Sequence, residues 1–258
     1  MVLRPILVSE PAADTGFVGA WAAVERQQKK SASRWLLITQ PDHADLSGQI
    51  AAAIDARDFP APPAEVVNAI RNHDSGWSAL EGAGHFPPAL HPDGRPVSFF
   101  EIAPEQFLEA WDASVERAAE NSAVGGYIVS RHFSSLGESR LERAPDPPET
   151  QAKLRGFVDG ERSRQGALRK LASDVKQWES YVLLLQFCDL LSLYLCCGAP
   201  DAVEFPQCSP AGRIRATRSG RVVSLSPTPL RSSLQLQVRG WHWPSATAES
   251  LPVEFSLR

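Results

Sequence analysis

The stretch from Tyr181 to Cys197 constrains the fold more than any other part of the chain. It is the longest apolar run, interrupted only by Gln186, Asp189 and Ser192. A bilayer-spanning helix needs roughly 20 predominantly apolar residues with few or no charges, so these interruptions favour a helix buried in protein. With the flanking "DVKQWES", it predicts one long helix through the middle of the core. Asp189 lies between Leu183-Leu184-Leu185 and Leu190-Leu191, where an ionised carboxylate is heavily desolvated unless a cation meets it. No other charged residue lies between Glu179 and Asp201, so the partner comes from elsewhere in the fold. Arg71, Arg131 or a metal ion would serve.

Other helices follow from periodicity. "TQPDHADLSGQIAAAIDAR" has a proline at a helical first turn and Leu46, Ile50 and Ile54 at intervals of four, with His43 near its start. The next helix opens at Pro62-Pro63, buries Val66, Val67 and Ile70, and is expected to stop at Ser75-Gly76. Its end carries His73-Asp74, where an anion meets the negative pole of the helix dipole. A divalent cation would reverse that sign. The Gly- and Pro-rich segment 78–104 reads as a long loop of the kind that serves as a lid or binding loop. "PEQFLEAWDASVERAAENS" is an amphipathic helix, Gly125-Gly126 is expected to break the chain, and "YIVSRHFSSLG" starts another apolar segment carrying His132. A charged helix over 148–172 precedes the long apolar one.

From Gly198 the pattern changes to alternating polar and apolar residues punctuated by Gly and Pro, which predicts antiparallel strands with a hairpin at "RSGR". The fold expected is mainly α, with a small antiparallel β-rich C-terminal portion that the N-terminal strand "LRPILVS" is a candidate to join. Three segments are expected: residues 1–33, a helical metal-binding core over 34–198, and a β-rich end over 199–258.

Composition narrows the function classes. Among 258 residues, 43% are hydrophobic and 22% charged, with a net charge of −4 and no long basic run, so nucleic acid is not an expected partner. No leader or membrane span is recognisable, and a cytoplasmic location is expected. The four cysteines, Cys188, Cys196, Cys197 and Cys208, crowd into one late stretch and fit reduced, core-packing thiols. A small-molecule substrate and an oligomeric assembly remain open to such a chain.

His43, His73-Asp74 and Asp189 occur in that order on separate helical segments. This order resembles the HD superfamily of metal-dependent phosphohydrolases, whose helical core holds a divalent metal through four such side chains. The resemblance covers residues 35–197. "QPDHADLSGQIA", "IRNHDSGW", "SRHFSSLG" and "LQFCDLLSLYLC", with "GRPVSFFEI" after "HDSGW", are also similar to a bacterial family carrying a domain of unknown function numbered 3891.

The HD resemblance implies His43, His73, Asp74 and Asp189 as ligands to one or two divalent ions. Two His with two Asp favour Mn, Fe, Ni or Zn over Mg or Ca. His132 would be a ligand to a second ion, or a base or phosphate-binding group beside one. His85 and His91 are spare candidates, or solvated loop residues. Arg131 is best placed by sequence to hold a phosphate, with Arg71 second; both also suit a surface position or a buried acid. Gln186, one turn before Asp189, would orient a water or act as a core amide. Trp77 and Ser130 would line the pocket, or Trp77 would pack as a lid over the helix end. The reaction implied is hydrolysis of a small phosphoester; an iron-pair oxygenase and a metal- or ligand-binding protein without turnover are the alternatives.

Overall fold

The computed structural model describes all residues except 7–15, 56, 58, 82–87, 144–145, 210–211 and 246–249. The first half runs β1 (Val2–Pro5), β2 (Val18–Gly19), α1 (Ala20–Gln28), β3 (Trp35–Ile38), α2 (Gln40–Ala52), α3 (Ala64–Arg71), α4 (Ser78–Glu81) and α5 (Pro104–Asn121). It continues through α6 (Ala123–Arg143), α7 (Pro148–Arg169), α8 (Val175–Cys197), β4 (Val203–Ser209), β5 (Gly212–Ser219), β6 (Val222–Ser226), β7 (Leu234–Trp243) and β8 (Ser250–Leu257).

α8 is the axis of the molecule. Asp174 starts it by accepting from the backbone N–H groups of Lys176 and Gln177 at 2.9 and 3.1 Å, and Gly198 ends it with φ of +68°. It packs against α1, α2, α3, α6, β1 and β4. By length and composition α8 passes as a membrane span, yet 83% of its most apolar stretch is buried inside the chain's own fold. Cys188, Cys196 and Cys197 are buried there as free thiols.

The strands form one eight-stranded mixed sheet in the order β1-β3-β7-β8-β6-β5-β4-β2. The β2–β4 and β6–β8 pairs are parallel, and the others antiparallel. The fold is therefore α/β, which overturns the expectation of a mainly α chain with a small antiparallel β-rich end. Strands from the first 40 residues belong to the same sheet as the C-terminal ones: Val2 pairs with Ile38, and Trp35 with Trp243. The cause lies in β3, "WLLI", which is buried at every position and so shows no alternation of polar and apolar residues.

Three local expectations are also corrected. Gly125-Gly126 does not break the chain but lies inside α6, and the glycines serve close packing instead: a Cβ on Gly126 would sit 2.6 Å from the Ala119 side chain of α5 and one on Gly125 2.7 Å from Ser122 Oγ. α3 stops at Arg71, several residues before Ser75-Gly76. The segment 78–104 is not a plain loop: it holds α4, a bridge between Leu90 and Pro96, and a 3-10 turn at Phe99–Glu101.

Candidate metal centre

Four segments deliver the site. Thr39 caps α2 by accepting from Asp42 N–H at 3.1 Å, with Pro41 in the first turn, and this sets His43 one turn into the helix. After α3 the chain turns through His73-Asp74 into a 3-10 turn at Ser75–Trp77. Gly76 presses that turn onto α5. Its N–H donates to Ser114 Oγ at 2.9 Å, and a Cβ there would lie 2.0 Å from the Ala110 carbonyl oxygen. His132 comes from α6 and Asp189 from α8.

These five side chains meet. Relative exposure is 1% for His43, 0% for His73, 3% for His132 and 6% for each of Asp74 and Asp189, so their charges are almost wholly removed from water. His43 Nε2 lies 2.7 Å from Asp74 Oδ2. His73 Nε2 lies 3.3 Å from Asp189 Oδ1 and 3.6 Å from Asp74 Oδ2, and His132 Nε2 lies 3.8 Å from Asp189 Oδ2. Candidate ligand atoms fall into two overlapping sets, His43-His73-Asp74 and His73-His132-Asp189, each within 4.8 Å.

The outer contacts orient the imidazoles. His73 Nδ1 donates to the Ile70 carbonyl at 2.8 Å, which leaves Nε2 facing the carboxylates. Ser192 donates its single hydroxyl proton to the Asp189 carbonyl at 2.8 Å, so His43 Nδ1, 2.9 Å from Ser192 Oγ, is the donor in that pair. Ser47 Oγ, 2.9 Å from Ser192 Oγ, extends the network. A metal-bound histidine characteristically donates through its second nitrogen in this way. His73 Nε2 is buried and makes no hydrogen bond among the described residues. That atom faces Asp189 Oδ1 and Asp74 Oδ2 at 3.3 and 3.6 Å, where a metal ligand would be placed, and the donor set fits a divalent transition metal.

The electrostatics agree. Burial pushes His73 down, but Asp74 and Asp189 outweigh it and raise the imidazole to about 9. Burial works to raise Asp189, yet His73, His132 and His43 hold it down to about 2. Burial takes His132 down to about 4, so it is neutral at pH 7 and able to act as a ligand or proton acceptor. The two carboxylates demand a cation between them, either a proton on His73 or a metal ion.

His43, Asp74, His132 and Asp189 line a cleft of about 570 Å³, with Gln186 and Trp77 also in its wall. The other residues singled out by sequence lie elsewhere. Arg131 reaches Glu179 at 3.4 Å, Arg71 pairs with Asp45, and Ser130 accepts from Gln165 at 2.9 Å. His91 contacts Glu101 at 3.2 Å, and His85 lies outside the described residues. Neither arginine lines the cleft. Sequence reasoning passed over Arg140 and Arg143, which line it on the α6 face of His132. Stepping the helical period on from His132 through Leu136 and Ser139 would have found them.

The fold and the site define an α/β protein with a buried cluster of three histidines and two carboxylates beside a cleft. Residues 27–242 match the family described as protein of unknown function (DUF3891), and the chain belongs to that family. The matched span contains every residue of the cluster. Neither the curated proteins nor the solved structures contain a match to the chain.

Proposed function

We propose that this chain is a metal-dependent phosphohydrolase of HD type, acting on a small phosphoester. His43, His73, Asp74 and Asp189 hold the ion, and His132 completes the centre. What carries this proposal is the convergence of side chains from separate segments, in the order His, His-Asp, Asp, at one buried point beside a cleft. An ion-pair cluster serving stability alone has no need of a cleft that reaches it.

A divalent ion bound there supplies a water of lowered pKa and neutralises charge on the phosphoryl oxygens. The chain's own residues do the rest. Both Nδ1 atoms donate elsewhere, so Nε2 of His43 and, once its proton is displaced, Nε2 of His73 would face the ion. Neutral His132, in the cleft wall, accepts a proton or hydrogen-bonds the attacking water. Gln186, on the Asp189 face of α8, orients the same water. Arg131 is engaged by Glu179, so the cationic contribution to substrate binding passes to the arginines farther along α6.

A third histidine, His132, with its Nε2 3.8 Å from Asp189 Oδ2, favours one second reading, an iron-pair oxygenase in which Asp74 bridges the ions. A panel of phosphomonoesters and phosphodiesters, assayed with Mn, Fe, Ni or Zn, tests the proposal. Metal-dependent turnover that is abolished in Asp74→Ala supports hydrolysis. Turnover unchanged in that variant removes the mechanism, and two irons with no hydrolysis point to oxygenation.

A further inference from the structure

Beyond the metal cluster, the cleft has a character of its own. Its walls carry Trp21, Phe99, Phe100, Phe107, Trp111 and Phe133. Trp111 stacks on Phe133 with ring centroids 5.1 Å apart, and Trp21 meets Phe100 edge-on at 5.4 Å. Trp21, Phe99, Phe100 and Trp111 are only partly buried, so aromatic surface is accessible from the cleft. Such surfaces favour a planar aromatic guest over an aliphatic one.

Two further wall residues are almost fully buried yet unsatisfied. Trp77 Nε1, in a residue 3% exposed, and Gln40 Oε1, in one 2% exposed, have no hydrogen-bond partner among the described residues. A buried donor and a buried acceptor left unpaired are costly, and a ligand with polar groups at its edge would satisfy both.

Charge sits at the far end. Arg140 and Arg143 lie eight and eleven residues beyond His132 on α6, about 12 and about 16 Å along the axis at about 1.5 Å per residue. Arg140 is already held by Asp146 at 2.7 and 3.0 Å. Arg143 is exposed, touches Ser139 Oγ, and forms no ion pair among the described residues. Glu25, the acidic wall residue outside the cluster, is paired with Lys29 at 2.7 Å. Arg143 is therefore too far from His132 to hold the phosphoryl group that reacts there.

We infer that the cleft selects phosphoesters whose leaving group is a flat aromatic body bearing a second anion at its far end, with Arg143 as the residue that recognises that anion. This rests on the hydrolytic proposal and names its substrate class. Metal-loaded protein is titrated by calorimetry with methylphosphonate, phenylphosphonate, and a biphenyl phosphonate with and without a carboxylate at the far para position. The ring tightens binding about tenfold over methyl, and the carboxylate adds about another tenfold that disappears in Arg143→Gln. Equal affinity for the methyl and phenyl probes, or a carboxylate gain that persists in Arg143→Gln, overturns the inference. Equal hydrolysis of glycerol phosphate and phenyl phosphate also overturns it while leaving the hydrolytic proposal standing. Ring-dependent binding with turnover of neither ester supports the aromatic ligand and removes the hydrolysis instead.

Discussion

His43 Nε2 faces Asp74 Oδ2 at 2.7 Å while its Nδ1 is committed to Ser192 Oγ at 2.9 Å. With the Nδ1 proton directed at the serine, Nε2 and the carboxylate meet favourably only with a proton or a metal ion between them. Ser192 thus orients the imidazole without itself being a candidate ligand. Ser192→Ala is expected to weaken Mn or Zn binding by about 10- to 100-fold, as other losses of outer partners do. Calorimetric titration checks this, and the fold, read by circular dichroism, should be unchanged.

Stability without metal should fall at alkaline pH. His73 is raised from 6.5 to about 9, so its contribution is fully present below pH 6.5 and is lost as pH rises through about 9. Asp189 works in the opposite range: held at about 2, it contributes above pH 3.8, and that contribution is lost as pH falls through about 2. Urea unfolding in the presence of a chelator should show a midpoint that drops between pH 7 and pH 9.5, and a midpoint constant over that range would contradict the assignment of His73.

In the proposed centre, metal and proton would compete for the same place. Binding of an ion to His73 Nε2 must displace the proton that the carboxylates hold there, so affinity rises with pH up to about 9. Calorimetry in buffers of different ionisation enthalpy should detect about one proton released per ion below that pH. In His73→Gln this release should disappear.

The turn that carries His73-Asp74 depends on Gly76. An alanine there would place its Cβ 2.0 Å from the Ala110 carbonyl oxygen, which α5 cannot move aside without repacking. Gly76→Ala is expected to destabilise the protein by about 1–3 kcal/mol and to lower metal affinity by shifting both ligands. Urea unfolding and metal titration of the same preparation measure the two effects.

The cluster is legible in the sequence because its residues are chemically out of place. Asp189 interrupts a leucine-rich helix, and His73-Asp74 sits where an apolar helix runs out, so each calls for a partner on its sequence context alone. Ser192 and Ser47 give no such signal, since a small hydroxyl in a helix is unremarkable until its neighbours are known. Arg131 misleads because it is adjacent to His132 in sequence, whereas on a helix the neighbours that share a face are three, four and seven residues away. The sheet is hidden for a different reason. β3 is four residues buried at every position and β2 is two, so no alternating pattern emerges, and the pairing of β3 with β7 and of β2 with β4 spans most of the chain.

Everything proposed for this chain turns on whether an ion occupies the cluster. Elemental analysis of protein purified without chelator, beside Asp74→Ala prepared in the same way, tests that most directly. The expected result is one to two equivalents of Mn, Fe, Ni or Zn per wild-type chain, with most of it missing from the variant. Wild-type protein that carries no metal and takes up none on titration, or a variant that retains the full amount, would contradict the metal centre.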